Sequence, residues 1–273
     1  NFTPERGTPP AHPEQNMPAG QRAALTAVVL GGSGAVGKEV VAALCKNATP
    51  WVSVHVFGRR RIPEFDAFPK VTQHLVEMDD AAAASAGFAT GLKEAGDASA
   101  AFNLMGVGTP SKSTEEELTR IDFAVPAAFA SAAKAAGVRH LSVLSAVGAD
   151  KEAKPGGFLG FGKTSAGGGL YNMLKGKIED KVESLGFESA STFRPATLIG
   201  TPNTPASIAW LSPKIDGLLP PKYKQTYINV LGAAMVQQAE RALAAPPAES
   251  GLRVYEGAAL HEAYAETGVA GRV

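Results

Sequence analysis

Little in this chain provides for a disulfide staple, a membrane anchor or a metal. Among its 273 residues there is one cysteine, Cys45, so no intrachain disulfide can form and no multi-cysteine metal site can be built. Cys45 stands in an apolar helical stretch, where a buried, unreactive thiol is expected. No apolar run approaches the ~20 residues that a membrane-spanning helix needs. Neither sign of charge is in excess, with Lys plus Arg and Asp plus Glu at 26 each. That balance gives no support to nucleic acid or an anionic membrane as the main partner, since either favours a basic face. The histidines, His12, His55, His74, His140 and His261, show no HxxxH or HExxH spacing, and no metal is assigned. What remains is an ordinary globular composition, 45% apolar and 19% charged, in a length that suits one large α/β domain.

Residues 1–22 are rich in proline and lack hydrophobic periodicity, so an extended arm is expected there. From Leu25 the texture changes. Leu25–Leu30 is a short apolar run ending in Gly31, the profile of a strand buried on both faces. Further strands are expected at Trp51–Phe57, Val71–Met78, Ala98–Met105, Arg139–Leu144 and Ser189–Phe193. Helices are expected at Lys38–Asn47, Ala81–Ala95, Glu115–Ala136 and about Tyr171–Leu185. This alternation specifies a Rossmann-type, doubly wound parallel sheet with helices on both faces. The domain runs over 23–273, with a Gly-rich insertion at 155–169. Residues 200–273 form a small C-terminal cap and substrate region, with a helix at Val230–Leu243 and a short strand near Leu252–Tyr255. In such folds ligands bind beyond the carboxyl ends of the strands, which here carry Gly31, Arg59, Gly106, Ser145 and Arg194.

Gly31-Gly32-Ser33-Gly34-Ala35-Val36-Gly37 joins the first strand to a helix. The spacing is GxxGxxG, on Gly31, Gly34 and Gly37. Glycines permit a tight turn and close approach of the backbone to a pyrophosphate, and the helix N-terminus offers free N–H groups. Phe57-Gly58-Arg59-Arg60-Arg61 ends the second strand. An acidic residue there would hold ribose hydroxyls; arginines suit a 2′-phosphate, which favours NADP over NAD. Glu77 and Asp79 either contact the adenine or begin the next turn. Met105-Gly106-Val107-Gly108 lets backbone pass close to a cofactor. Tyr171 and Lys175 form a YxxxK at the start of a helix, and spacing of four puts both on one face. The lysine cation favours the tyrosine phenolate, so the pair can serve as general acid/base. Ser145 is placed to hold a substrate carbonyl. Gly157–Thr164 literally satisfies GxxxxGK[ST], but no strand precedes it and no helix follows, so it is not read as a phosphate loop.

Together GGSGAVG, FGRR, NLMGVGTPSK, LSVLSAVGADK, YNMLKGKIEDKVESLGF and FRPATLIG resemble the Tat-interacting-protein family of atypical short-chain dehydrogenases. The similarity spans about residues 25–262. It implies one Rossmann domain binding NADPH. Ser33, Gly34, Ala35 and Val36 would hold the pyrophosphate region, and Arg59 and Arg60 the 2′-phosphate. Met105 and Gly106 would line the cofactor, Tyr171 would be the proton donor or acceptor with Lys175 its partner, and Leu198 would lie near the nicotinamide. Two features depart from the family: segment 155–169 roughly doubles the gap between the strand-five serine and the tyrosine, and the paired serine appears as Ser145-Ala146.

Two functions fit. One is an NADPH-dependent carbonyl reductase, with Ile208, Trp210, Leu211, Leu218 and Leu219 as an apolar substrate wall. The other is a non-catalytic NADPH-binding structural or regulatory subunit, docking protein partners through the arm and the 155–169 loop. The chain begins at Asn1 rather than Met, which gives the expectation of an organelle, mitochondrion or plastid, after loss of a transit peptide, with the cytoplasm as the alternative.

Overall fold

The computed structural model describes residues 24–47, 49–154, 168–202, 204, 217, 219–246 and 251–272. The expected arm, nearly all of the 155–169 insertion with its phosphate-loop look-alike, and Ile208, Trp210, Leu211 and Leu218 lie outside these residues.

A seven-stranded, wholly parallel sheet organises the chain. Its strands are β1 (Leu25–Leu30), β2 (Trp51–Gly58), β3 (Val71–Leu75), β4 (Ala100–Asn103), β5 (His140–Leu144), β6 (Ser189–Phe193) and β9 (Leu252–Tyr255). Their order is β3-β2-β1-β4-β5-β6-β9. The crossover from β3 back to β4 beside β1 creates the topological switch point at which such sheets bind ligands. A separate parallel pair joins β7 (Leu198–Ile199) to β8 (Thr226–Tyr227).

Strand periodicity divides the core. In β1, Ala27 and Val29 face one apolar cluster and Val28 and Leu30 the other, as a repeat of two residues requires. On the first face lie α1 (Ala35–Leu44), α6 (Ile228–Ala244) and α7 (Ala258–Glu266), packed on Trp51, Val54 and Phe102. On the second lie α2 (Ala81–Ala95) and α4 (Val125–Ala135), joined by Val182 of α5 (Gly169–Ser184). There Phe57, Phe88 and Phe129 meet edge to face, with centroids 5.3–5.8 Å apart.

The helix expected over Glu115–Ala136 is interrupted. It comprises α3 (Glu115–Thr119), a widened π turn at Arg120–Ala124, and α4. Pro126 supplies the reason: it has no N–H to give the carbonyl of Asp122, and its ring crowds that oxygen. The C-terminal region contributes the edge strand β9 and helix α6, which packs on α1. Helix α7 and the β7–β8 pair were not expected. The half-buried Cys45 has its thiol pKa raised by burial, which disfavours the reactive thiolate. Among the described residues no helix is long and apolar enough to cross a membrane.

Three histidines of the sheet have their pKa values lowered. His140 is fully buried, with Nδ1 2.8 Å from Ser189 Oγ and Nε2 3.0 Å from Ser142 Oγ. Burial pushes its pKa from 6.5 down to about 3. His55 and His74 touch across β2 and β3, Nδ1 to Nε2 at 2.8 Å. Burial lowers both, and for His55 the neighbouring His74 lowers it further. The unfolded chain takes up these protons near pH 6.5 and the native chain only at lower pH, so stability is full above that value and falls on acidification. Chemical denaturation across pH is expected to show His140 contributing about 1.4 kcal/mol per pH unit as the pH drops below about 6.5. In His140→Asn the slope is expected to lessen by one proton; an unchanged slope contradicts the assignment.

Candidate active site

The groups of interest converge on the carboxyl ends of β1, β2, β4, β5 and β6. The loop after β1 is tight because Gly31 has φ +84° and lies against the chain after β4; a Cβ on it would come 2.7 Å from the backbone of Leu104 and Met105. Gly37 sits under this turn, where a Cβ would come 2.2 Å from the Gly31 carbonyl oxygen. Gly31 and Gly37 therefore serve close packing of loop and helix. Ser33 and Gly34 are exposed, Ala35 is half-buried, and Val36 points into the core, leaving only its N–H for a ligand. Gly34 begins α1 with no side-chain cap and no acidic residue in the first turn. The helix thus presents its positive dipole end at the loop, a ready anion site.

At the end of β2, Arg59 and Arg60 are exposed and form no ion pair among the described residues, whereas Arg61 pairs with Asp66 at 2.9 Å. Asp79 is engaged by Arg120 at 2.8 Å, and Glu77 is exposed. After β4, Met105 is half-buried and Gly106 exposed. A Cβ at Gly106 would lie 3.1 Å from Asp122 Oδ1 and 3.4 Å from Lys175 Nζ. Absence of a side chain there opens the surface onto a buried ion pair.

That pair anchors the catalytic candidates. Helix α5 places Tyr171, Lys175 and Glu179 on one stripe, four residues apart. Lys175 Nζ is 2.8 Å from Asp122 Oδ1, with the two side chains 5% and 0% exposed. The other Asp122 oxygen accepts the Val107 N–H at 3.1 Å. Lys175 Nζ also lies 5.7 Å from the Tyr171 ring centroid. Burial pulls the Lys175 pKa down, but Asp122, Tyr171 and Glu179 outweigh it and the net shift is upward, so the ammonium is retained. Tyr171 is raised, by burial first and by Asp122, against the opposing pull of Lys175.

Ser145 is buried at the end of β5, and its hydroxyl donates to Glu179 Oε1. Arg194, from the end of β6, donates its Nε to the same oxygen at 3.0 Å and its terminal nitrogen to Oε2. Leu198 is half-buried in β7. The structure thus brings Tyr171, Lys175 and Gly106 together around Asp122, while the Ser145 proton is committed to a neighbouring Glu179–Arg194 pair. Asp122 and Glu179 escaped the sequence reading. Glu179 was signalled by its spacing of four from Lys175, and Asp122 by Pro126 four residues later.

No protein-family model matches the chain. It is similar to Protein HTATIP2 of Rattus norvegicus, 30% identical over 203 residues, covering 73% of each chain. It is also similar to Protein FMP52-1, mitochondrial, of Scheffersomyces stipitis, 27% identical over 180 residues, covering 66% of this chain and 70% of that one. Among solved structures, a short-chain dehydrogenase/reductase from Serratia marcescens BCRC 10948 superposes with a TM-score of 0.62 at 14% identity, over 87% of this chain and 98% of the other. That likeness establishes the fold.

Removing one member of a buried ion pair leaves the other charge uncompensated. Lys175→Met is therefore expected to cost about 3–5 kcal/mol in denaturant unfolding. Asp122→Leu on that background should recover much of the loss. A single-variant loss below about 1 kcal/mol, the range of exposed pairs, would show that the pair is not buried in solution.

Proposed function

Because the chain belongs to the HTATIP2-like family of atypical short-chain dehydrogenases/reductases, we propose that it is an NADPH-dependent oxidoreductase acting on a small carbonyl substrate. The observation that carries this reading is the order of groups along the sheet. Moving from β2 through β1 and β4 to β5, one meets two exposed arginines, an uncapped helix N-terminus, an open glycine and a tyrosine–lysine pair. Three strand steps of about 4.8 Å make roughly 14 Å, the scale of an extended dinucleotide.

The residues fit that cofactor. Arg59 and Arg60 supply charge-assisted bonds to a 2′-phosphate. The backbone of Ser33, Gly34, Ala35 and Val36 faces the pyrophosphate, inside a loop held tight by Gly31 and Gly37. Met105, Gly106 and Leu198 line the nicotinamide end, and Lys175 bonds its ribose. When bound, NADPH supplies hydride. Tyr171 gives the proton to the substrate oxygen, and Lys175 fixes its position. Ser145 orients the carbonyl once its hydroxyl turns from Glu179. The mitochondrial designation of FMP52-1 supports a mitochondrial location for this chain.

A second reading, a non-catalytic NADPH-binding subunit of a larger assembly, draws on one observation: the Ser145 hydroxyl is held by Glu179 rather than free for a substrate. The cofactor site is common to both readings.

Calorimetric titration with NADPH and NADH tests the proposal. NADPH is expected to bind more tightly than NADH. Arg59→Ala/Arg60→Ala should weaken NADPH at least about tenfold, since bonds to a charged group contribute about 1.5–3 kcal/mol each, and should leave NADH unchanged. Tyr171→Phe should spare binding and abolish turnover in a carbonyl-substrate screen. Binding without turnover of any carbonyl in the native chain favours the subunit. No binding of either nucleotide overturns both readings.

A further inference from the structure

The two exposed arginines at the end of β2 sit on a very short piece of chain. Only Arg59, Arg60 and Arg61 separate Gly58, the last residue of β2, from the buried Ile62. Such a loop is held only as well as its two ends are, and both ends are held here by the edge strand β3 and the residue that follows it. At Gly58 the bond continues the sheet pairing, its carbonyl accepting the Val76 N–H at 3.0 Å. At Ile62 the chain has left the sheet, and a side chain takes over. Gln73, half-buried and in register with Val56, accepts the Ile62 N–H on its Oε1 at 2.7 Å and donates its Nε2 to the Ile62 carbonyl at 3.1 Å. These are the two bonds that a residue of an antiparallel neighbour would make. The Ile62 carbonyl also takes the Phe65 N–H at 3.0 Å, which starts a 3-10 turn at Pro63–Ala67.

The same glutamine sorts the arginines. Its Nε2 lies 3.0 Å from Asp66 Oδ1, the oxygen that Arg61 reaches at 2.9 Å, and the Arg61 Nε lies 3.3 Å from Asp66 Oδ2. Arg61 is thereby engaged by the protein itself, while Arg59 and Arg60 stay exposed and form no ion pair among the described residues. The clamped segment is also tied to the glycine loop and its helix. Phe65 is buried, and a Cβ at Gly32 would come 3.3 Å from its ring. Glu64 pairs with Lys38 of α1 at 2.7 Å.

We propose that Gln73 is a positioning residue for a 2′-phosphate: by clamping Ile62 and Asp66 it presets the backbone of Arg59 and Arg60, keeps Arg61 aside, and so sets the preference for NADPH over NADH. This rests on the NADPH reading above and adds the residue on which that preference depends. The physical reason is preorganisation. Two long cationic side chains lose freedom when they close on a phosphate, and a backbone already fixed leaves less to lose. NADH has no 2′-phosphate for them to meet, so its binding draws nothing from the clamp.

Gln73→Met keeps the length of the side chain and removes its amide. Calorimetric titration of the native chain, Gln73→Met, Arg59→Ala/Arg60→Ala and the combined variant with each nucleotide forms a double-mutant cycle. Gln73→Met is expected to weaken NADPH roughly three- to tenfold, to leave NADH unchanged, and to have no further effect once both arginines are gone. Hydrogen exchange in the nucleotide-free chain gives a reading independent of binding: residues 59–62 should exchange roughly three- to tenfold faster in Gln73→Met. Unchanged exchange, an unchanged NADPH affinity, an equal loss for both nucleotides, or a full effect without the arginines each overturns the proposal. A native chain that binds NADPH no better than NADH refutes the cofactor reading and takes the proposal with it, while faster exchange there leaves the clamp as a property of the fold. Gln73→Ala removes the same bonds and gives the same readings should the Met variant not fold.

Discussion

Every strand of the main sheet runs the same way, and this one constraint arranges everything else. Parallel strands need crossovers, most of the crossovers are helices, and helices on both faces bury the central strands twice, while the edge strands β3 and β9 stay partly exposed. The apolar run LTAVVL at β1 is the sequence cost of that burial: its alternate residues feed two separate cores. Polar side chains inside the sheet must then be satisfied in place, as His140 is between two serines. The other consequence is that all carboxyl ends emerge on one side. An uncapped helix N-terminus, two arginines and a tyrosine–lysine pair, far apart in sequence, face one rim because the strands of this sheet all run parallel.

The rim divides by how each group is charged. Arg59 and Arg60 are exposed and form no ion pair among the described residues, suited to meet an anion from solvent. Lys175 and Glu179 are buried and each has a partner from another element, Asp122 and Arg194. An ion pair out of water is costly to break by removing one side and contributes little net stability when whole. Its value here lies in fixing geometry: Lys175 cannot swing while Asp122 holds it, and Asp122 cannot move while the Val107 N–H and the π turn hold it. Ser145 donates its hydroxyl to the second pair, a commitment that its position at a strand end did not reveal.

Much of this was legible in the residues. Short runs alternating with helical stretches gave five of the six strands expected before the C-terminal region to within two residues at either end; Val71–Met78 ended early, at Leu75. The helix at Ala81–Ala95 was bounded correctly by Asp80, which caps it, and Gly96. The glycine loop was recognised because its spacing and its flanks are both local. Asp122 was hidden because apolar periodicity runs through 115–136 unbroken, and only Pro126 marks the widened turn that aims the carboxylate inward. Glu179 was missed because its partner Arg194 comes from the end of β6, fifteen residues on, and only the fold brings the two together. The region after Gly200, punctuated by proline, carries no period from which the β7–β8 pair could be read, and a nine-residue helix such as α7 is too short to stand out.

The proposed site is one continuous rim of strand ends, from Arg59 to Tyr171, for a nicotinamide nucleotide. Hydrogen-exchange mass spectrometry with and without NADPH tests that claim across the whole chain at once. It predicts slowed exchange together at residues 31–38, 58–61, 105–107 and 171–176, with the far ends of the strands unchanged. Protection confined to one of these segments, or appearing at the opposite end of the sheet, would contradict it.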